Sequence, residues 1–141
     1  MVSGFRTPGR PTHNGVDLGA ARGTPVRAAS PGTVLTVRCN VVPAAHGCDV
    51  DGSVQIGGCG WYVDIGHAGG VITRYCHLGQ RPFVLPGQQV LAGTPIGRVG
   101  SSGNSSGPHL HYEVHLSHDQ SPAGAVDPVP FMRGVGAPLG A

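Results

Sequence analysis

Polar and apolar residues alternate most regularly near the end of the chain. Leu110, Tyr112, Val114 and Leu116 fall on one side of an extended backbone, and His109, His111, Glu113 and His115 fall on the other. A strand with one apolar side packs that side on a core. The pattern therefore predicts a strand over 110–116 whose polar side lines an open face. Shorter runs rich in β-branched residues precede it at 16–18, 25–28, 33–38, 60–65, 71–77, 88–91 and 96–99, separated by Gly and Pro. His67-Ala68-Gly69-Gly70 joins two of these runs and predicts a hairpin. Residues 39–57 read as a long loop with a short strand near 54–56. The chain after Ser117 reads as loop, and 134–141 as a disordered tail.

Composition sharpens this picture. With 25 Gly and 13 Pro in 141 residues, helices have little room. The longest stretch free of both, 109–121, is the one that alternates with period two. The expected fold is all-β: antiparallel sheets with a shallow groove, barrel-sandwich-like and without substantial helix, in one domain over 1–133. No stretch approaches the ~18 apolar residues of a membrane helix. Met1 leads into a Gly/Pro-rich segment, not an apolar signal core, so an exported form is expected to be a mature fragment or excised domain.

Charge excludes several classes of function. All nine basic residues are Arg and they are scattered, unlike the clustered basic face that binds nucleic acid. Without Lys the chain cannot form a Schiff base, use a P-loop lysine, or carry biotin or lipoate.

Four cysteines, at 39, 48, 59 and 76, form no C-x-x-C. An even count in a small, loop-rich chain points to two disulfides and an oxidising compartment. If 60–65 and 71–77 form a hairpin, residue 59 lies diagonally near 76. The expected pairs are therefore Cys59–Cys76 and, closing the long loop, Cys39–Cys48.

Candidate chemistry lies with the eight histidines. His109 and His111 stand side by side on the polar face of the last strand, a natural start for a metal site. Zinc needs a third or fourth ligand from elsewhere in the chain. His13 and Asp17, bracketing a turn that runs into a strand, are candidates, and a His-plus-carboxylate set suits zinc. His46, His67, His115 and His118 are expected to be exposed or satisfied by ordinary hydrogen bonds. Gly103-x-Ser105-x-Gly107 formally matches a serine-hydrolase elbow, but Pro108 and a strand follow where that motif needs a helix. The surrounding Gly/Ser segment is expected to wall a substrate cleft.

His13-Asn-Gly-Val-Asp17, Tyr75-Cys76-His77-Leu78 and Gly107-Pro108-His109-Leu110-His111-Tyr112-Glu113 occur in this order. Together they resemble the LytM/lysostaphin-type zinc metallopeptidases of family M23. The resemblance implies that His13, Asp17 and His111 ligate one zinc ion and that His77 and His109 are catalytic. Glu113 matches an acidic position of the family and is read as orienting its neighbours. The resemblance also implies a zinc endopeptidase that hydrolyses peptide stems or crosslinks of bacterial peptidoglycan, acting as a monomer outside the cytoplasm or in the cell wall. A non-catalytic peptidoglycan-binding or hydrolase-activator module is the alternative, and a zinc peptidase acting on proteins a third reading. Two departures from the family pattern stand out. Phe5-Arg6-Thr7 has lost the glycine of an F-G-x-R element, and the 39–57 loop is longer than usual.

Overall fold

In the computed structural model, which describes residues 2–139, nine strands and one short helix carry the chain. They are β1 (Val16–Gly19), β2 (Pro25–Arg27), β3 (Gly32–Val42), β4 (Gly57–Gly66), β5 (Ile72–Leu78), β6 (Gln89–Val90), β7 (Pro95–Arg98), β8 (His109–His115), β9 (Ala125–Val126) and α1 (Pro128–Gly134). One antiparallel sheet runs in the order β1-β8-β5-β4-β3-β6, with β9 also paired to β8, while β2 and β7 form a separate two-stranded sheet. The large sheet curls around a core of β-branched and aromatic residues that includes Val16, Val34, Val63, Ile65, Tyr75, Ile96 and Val114. The all-β expectation therefore holds, and all eight expected strands are present with ends shifted by a few residues.

The turn at 67–70 forms as expected, closed by a hydrogen bond from the His67 amide to the Val71 carbonyl at 2.8 Å. It sets the register of β4 on β5, which pairs Asp64 with Arg74 and Val63 with Tyr75. Both expected disulfides are present. Cys39–Cys48 and Cys59–Cys76 have Cα separations of 5.8 and 5.1 Å.

Three sequence expectations need correction. Residues 54–56 form a turn, not a strand, because β3 and β4 extend to Val42 and Gly57 and leave only 43–56 between them. The region after Ser117 is not all loop: β9 and α1 lie there. The two prolines in α1, which read as breakers, occupy the first turn, where amides have no helical partner to lose. Asp127 caps that turn, accepting from the Val129 amide at 3.0 Å. Residues 140 and 141 of the expected tail lie outside the described residues.

The third correction concerns β8. Its polar side is only partly open: His111, Glu113 and His115 are buried and His109 is half-buried. The N-terminal segment and the stretch around Gln120 cover it. Gly4 bonds His13, Arg6 bonds the Pro122 carbonyl, and Gln120 bonds both Arg74 and Asp64. Both sides of β8 are therefore packed, one apolar and one polar.

Candidate metal centre

Strands β1 and β8 run antiparallel with Asp17 directly opposite His111. Directly opposed residues share a face at close range, so the carboxylate and the imidazole meet without any special turn. The segment before β1 then brings in His13. The His111 Nδ1 lies 3.0 Å from Asp17 Oδ1 and 3.1 Å from His13 Nε2, and His13 Nε2 lies 3.2 Å from the same Oδ1. All three side chains are buried.

The partners of the far ring nitrogens decide what these three atoms can hold. His13 Nδ1 lies 2.7 Å from the Gly4 carbonyl, which can only accept, so Nδ1 carries the proton and Nε2 a lone pair. His111 Nε2 lies 2.7 Å from Glu113 Oε2, which fixes a proton there and leaves the lone pair on Nδ1. Two imidazole lone pairs and a carboxylate oxygen thus converge. Metal–ligand bonds of ~2.0–2.1 Å at tetrahedral angles place donor atoms roughly 3.3 Å apart. The observed separations of 3.0 to 3.2 Å are close to that edge length. The donor set fits a small divalent cation such as zinc.

Asp17 is further constrained. Burial would raise its pKa. Hydrogen bonds from His109 and Arg10 oppose it and hold the carboxyl below the usual range. The Arg10 Nη1 binds Oδ2 at 2.7 Å and so turns Oδ1 toward the imidazoles.

His77 reaches the same place by a different route. It follows Tyr75 by two positions, so plain alternation would send it to the core side. Instead its φ is +65°, a left-handed conformation rare outside glycine, and the β4–β5 register slips between Trp61 and Val63. This bulge puts the His77 ring centroid 4.9 Å from that of His109 and 5.7 Å from that of His111. His77 Nδ1 donates to the Ser102 carbonyl at 2.8 Å, and His109 Nδ1 donates to the Gly107 carbonyl at 2.8 Å. Each therefore keeps Nε2 free of that bond. Burial, helped by the neighbouring His111 and His109, lowers the His77 pKa to about 4. His109 is shifted upward by its hydrogen bond to Asp17, against burial, with Nε2 3.3 Å from Oδ1.

Behind the centre, Glu113 receives three groups: His111 Nε2 at 2.7 Å, His115 Nε2 at 2.6 Å and, more distantly, Arg74 Nη1 at 3.5 Å. Arg74 in turn makes a forked pair with buried Asp64, at 2.7 and 2.8 Å. The five residues marked by their motifs therefore lie together in one site.

A family model described as "Peptidase family M23" matches residues 11–124, most of the chain. The chain belongs to peptidase family M23. It is 41% identical over 105 residues to the DD-carboxypeptidase/endopeptidase Mpg of Neisseria meningitidis, which covers 74% of this chain and 20% of that protein. Among solved structures it resembles the catalytic domain of lysostaphin, an antimicrobial peptidase from Staphylococcus simulans, with 33% identity, 86% of this chain and 79% of that chain covered, and a TM-score of 0.68. It also resembles a zinc containing peptidase from Vibrio cholerae, with 33% identity, coverages of 82% and 29%, and a TM-score of 0.62. The chain spans about one fifth of the length of the curated relatives it matches.

In this M23 chain the histidines set aside by sequence are satisfied where expected. His67 bonds the Pro31 carbonyl and Thr73, and His46 the Asp51 carbonyl. His115 is also satisfied, but by Glu113, so it belongs to the polar network behind the centre. Ser105 sits in a loop with no helix after it, bonding Ser101 and the Gly107 carbonyl. The Gly/Ser segment does wall a groove of about 740 Å³ through Asn104, opposite residues 9–14, with His77, His111 and Glu113 also lining it. Sequence reading missed Ser102, Arg10 and the Asp64–Arg74 pair. The last was accessible in principle, since the 67–70 turn places 64 opposite 74.

Proposed function

We propose that this domain is a zinc-dependent endopeptidase that hydrolyses peptide bonds in the stems or crosslinks of bacterial peptidoglycan. The observation that carries the reading is the convergence of two imidazole lone pairs and one carboxylate oxygen within 3.2 Å of one another. His13, Asp17 and His111 hold one zinc ion. When bound, that ion supplies a Lewis acid for the scissile carbonyl and lowers the pKa of a coordinated water from ~15.7 toward ~7.

The chain's own residues do the rest. Gly4 and Glu113 fix the tautomers of His13 and His111. Ser102 and Gly107 fix Nδ1–H on His77 and His109, so that each presents Nε2 for proton transfer. No H-E-x-x-H motif is present to supply a glutamate base, which leaves this role to the histidine pair. The names of the relatives, a DD-carboxypeptidase/endopeptidase and an antimicrobial peptidase, support a cell-wall peptide as substrate. Two disulfides support action in an oxidising, extracytoplasmic setting. Among the described residues no helix is long and apolar enough to cross a membrane. We take the domain to act as a monomer.

The test is purified peptidoglycan incubated with zinc-loaded protein, with and without chelator, followed by labelling of new amino termini. Zinc-dependent termini are expected, and His77→Ala should abolish them while retaining stoichiometric zinc. Binding to peptidoglycan without any new termini would identify the non-catalytic module instead.

A further inference from the structure

Beside the candidate metal centre a second group of donors converges. The sulfurs of Cys59 and Cys76 and a carboxylate oxygen of Glu113 lie within 4.8 Å of one another. The strand register brings them together. Cys76 stands directly opposite His111 in the β5–β8 pairing, so its side chain falls beside the strand face that carries Glu113. Cys59 precedes Gly60, whose φ is positive, and meets Cys76 with Cα atoms 5.1 Å apart. The two cysteines differ in access: Cys59 is half-buried and lines the groove, whereas Cys76 is fully buried. The other bridge, Cys39–Cys48, has no such third donor among the described residues. Glu113 links the two groups. It accepts from His111 Nε2, and through that bond the His111 Nδ1 lone pair stays aimed at Asp17 and His13.

We propose that Cys59 and Cys76, once reduced, form with Glu113 a second cation site for a thiophilic ion such as zinc, and that filling it weakens the candidate centre through the shared carboxylate. The site opens on reduction, because the thiolate is the metal ligand. The reductant is a dithiol, small or carried by a protein. Its thiolate attacks Cys59 Sγ from the groove, the S–S bond breaks, and Cys76 Sγ leaves with the electron pair. The second thiol of the reductant then displaces Cys59 Sγ and closes its own disulfide. Two electrons have passed to the protein, and one dithiol has been oxidised. When the cation binds, both protein sulfurs are thiolates and the two protons of the dithiol go to solvent. Zn–S bonds of ~2.3 Å at a tetrahedral angle need sulfurs roughly 3.8 Å apart, a separation that rotation about Cα–Cβ reaches from these Cα positions. Two thiolates select a soft ion, the carboxylate adds a third ligand, and the groove side of Cys59 leaves a fourth position open. A cation there draws the charge of Glu113 away from the His111 N–H. Exchange with an oxidised dithiol runs the same steps backward, expels the ion and returns Glu113 to His111.

The test is cobalt(II) titration of wild type, either oxidised or reduced with a phosphine and desalted without air. Thiolate-bound cobalt has an intense near-ultraviolet charge-transfer band that a histidine–carboxylate site lacks. Oxidised protein should take up cobalt without the band, and reduced protein a further equivalent with it. The band should persist in reduced Cys39→Ala/Cys48→Ala and vanish in Cys59→Ala/Cys76→Ala. If one of these double variants does not fold, the other still decides which pair carries the band. With the sulfur site filled by cadmium, the zinc affinity of the candidate centre, read by calorimetry, should fall about 10- to 100-fold from its value in oxidised protein. No band in reduced wild type, its survival in Cys59→Ala/Cys76→Ala, its loss from Cys39→Ala/Cys48→Ala, or a band accompanied by loss of the native circular dichroism overturns the site. An unchanged zinc affinity overturns the coupling. None of these measurements reads turnover, so they stand apart from the endopeptidase reading, which fails on its own terms if oxidised, zinc-loaded protein releases no new amino termini.

Discussion

Glu113 takes the Nε2–H of His111 at 2.7 Å and, on its other oxygen, the Nε2–H of His115 at 2.6 Å. One carboxylate thus holds two imidazoles on the same strand face, one two residues before it and one two residues after it. The first of those rings keeps its Nδ1 lone pair aimed at Asp17 and His13 only because Nε2 is occupied.

Glu113→Gln should therefore weaken the centre without touching a ligand. The amide matches the carboxylate in shape, but it offers a single acceptor oxygen to two N–H donors and has lost its charge. Zinc affinity, measured by competition with a chromophoric chelator, should fall by about 10- to 100-fold, the usual cost of losing an orienting partner. Unchanged affinity would mean that the ring is held by packing alone.

The same carboxylate makes a prediction for acid stability. Burial would raise its pKa, but the hydrogen bonds from His111 and His115, with Arg74 nearby, hold it at about 2, below the ordinary 4.5. A lowered carboxylate stabilises the fold above its unfolded pKa, and that contribution is lost as pH falls through the folded value. At about 1.4 kcal/mol per unit the contribution is on the order of 3 kcal/mol, lost between pH 4.5 and 2. Urea unfolding of metal-free protein should show the gap between wild type and Glu113→Gln narrowing across that window. A constant gap would count against the assignment.

Gly60→Ala should impair activity from outside the groove's chemistry. Gly60 has φ +67°, and a methyl there would run into Ser102. The Ser102 carbonyl holds His77 Nδ1 at 2.8 Å, and its hydroxyl joins the Trp61 amide to the Leu78 carbonyl. The expected outcome is lowered kcat with nearly unchanged zinc content, together with a loss of about 1–3 kcal/mol in stability. Wild-type kcat in a destabilised variant would uncouple Ser102 from His77.

Replacing Cys59 and Cys76 together with alanine should cost about 3 kcal/mol, because the crosslink closes a loop with a sequence separation of 17. Cys76 immediately precedes the left-handed His77, so activity should fall further than the Tm shift predicts at a temperature where the variant is still folded. A parallel Cys39→Ala/Cys48→Ala variant provides the control, since its loop is shorter and its bridge lies away from His77.

Much of this was legible in the sequence for simple reasons. Alternation along β8 put His109, His111 and Glu113 on one face, and the 67–70 turn gave the hairpin that joins Cys59 to Cys76. What periodicity could not show was how His77 joins them. Counting by twos from Tyr75 sends it into the core, and only a positive φ with a bulge returns it to the polar side. The burial of that side was equally hidden, because the chain that covers it comes from both flanks of the motif region and has no regular structure to betray its path. Helix α1 was missed because its prolines read as breakers, although they lie where a helix tolerates them.

The opening residues have a practical consequence for anyone grafting this domain. The family match begins at residue 11, yet Ser3 pairs with Asp17, Gly4 accepts the His13 proton and Ser3 steadies Arg10. A chimera spliced at the first histidine would inherit all three candidate ligand side chains and lose the backbone that aims two of them. A junction chosen by sequence similarity alone would thus deliver an intact motif on a poorly chelating scaffold.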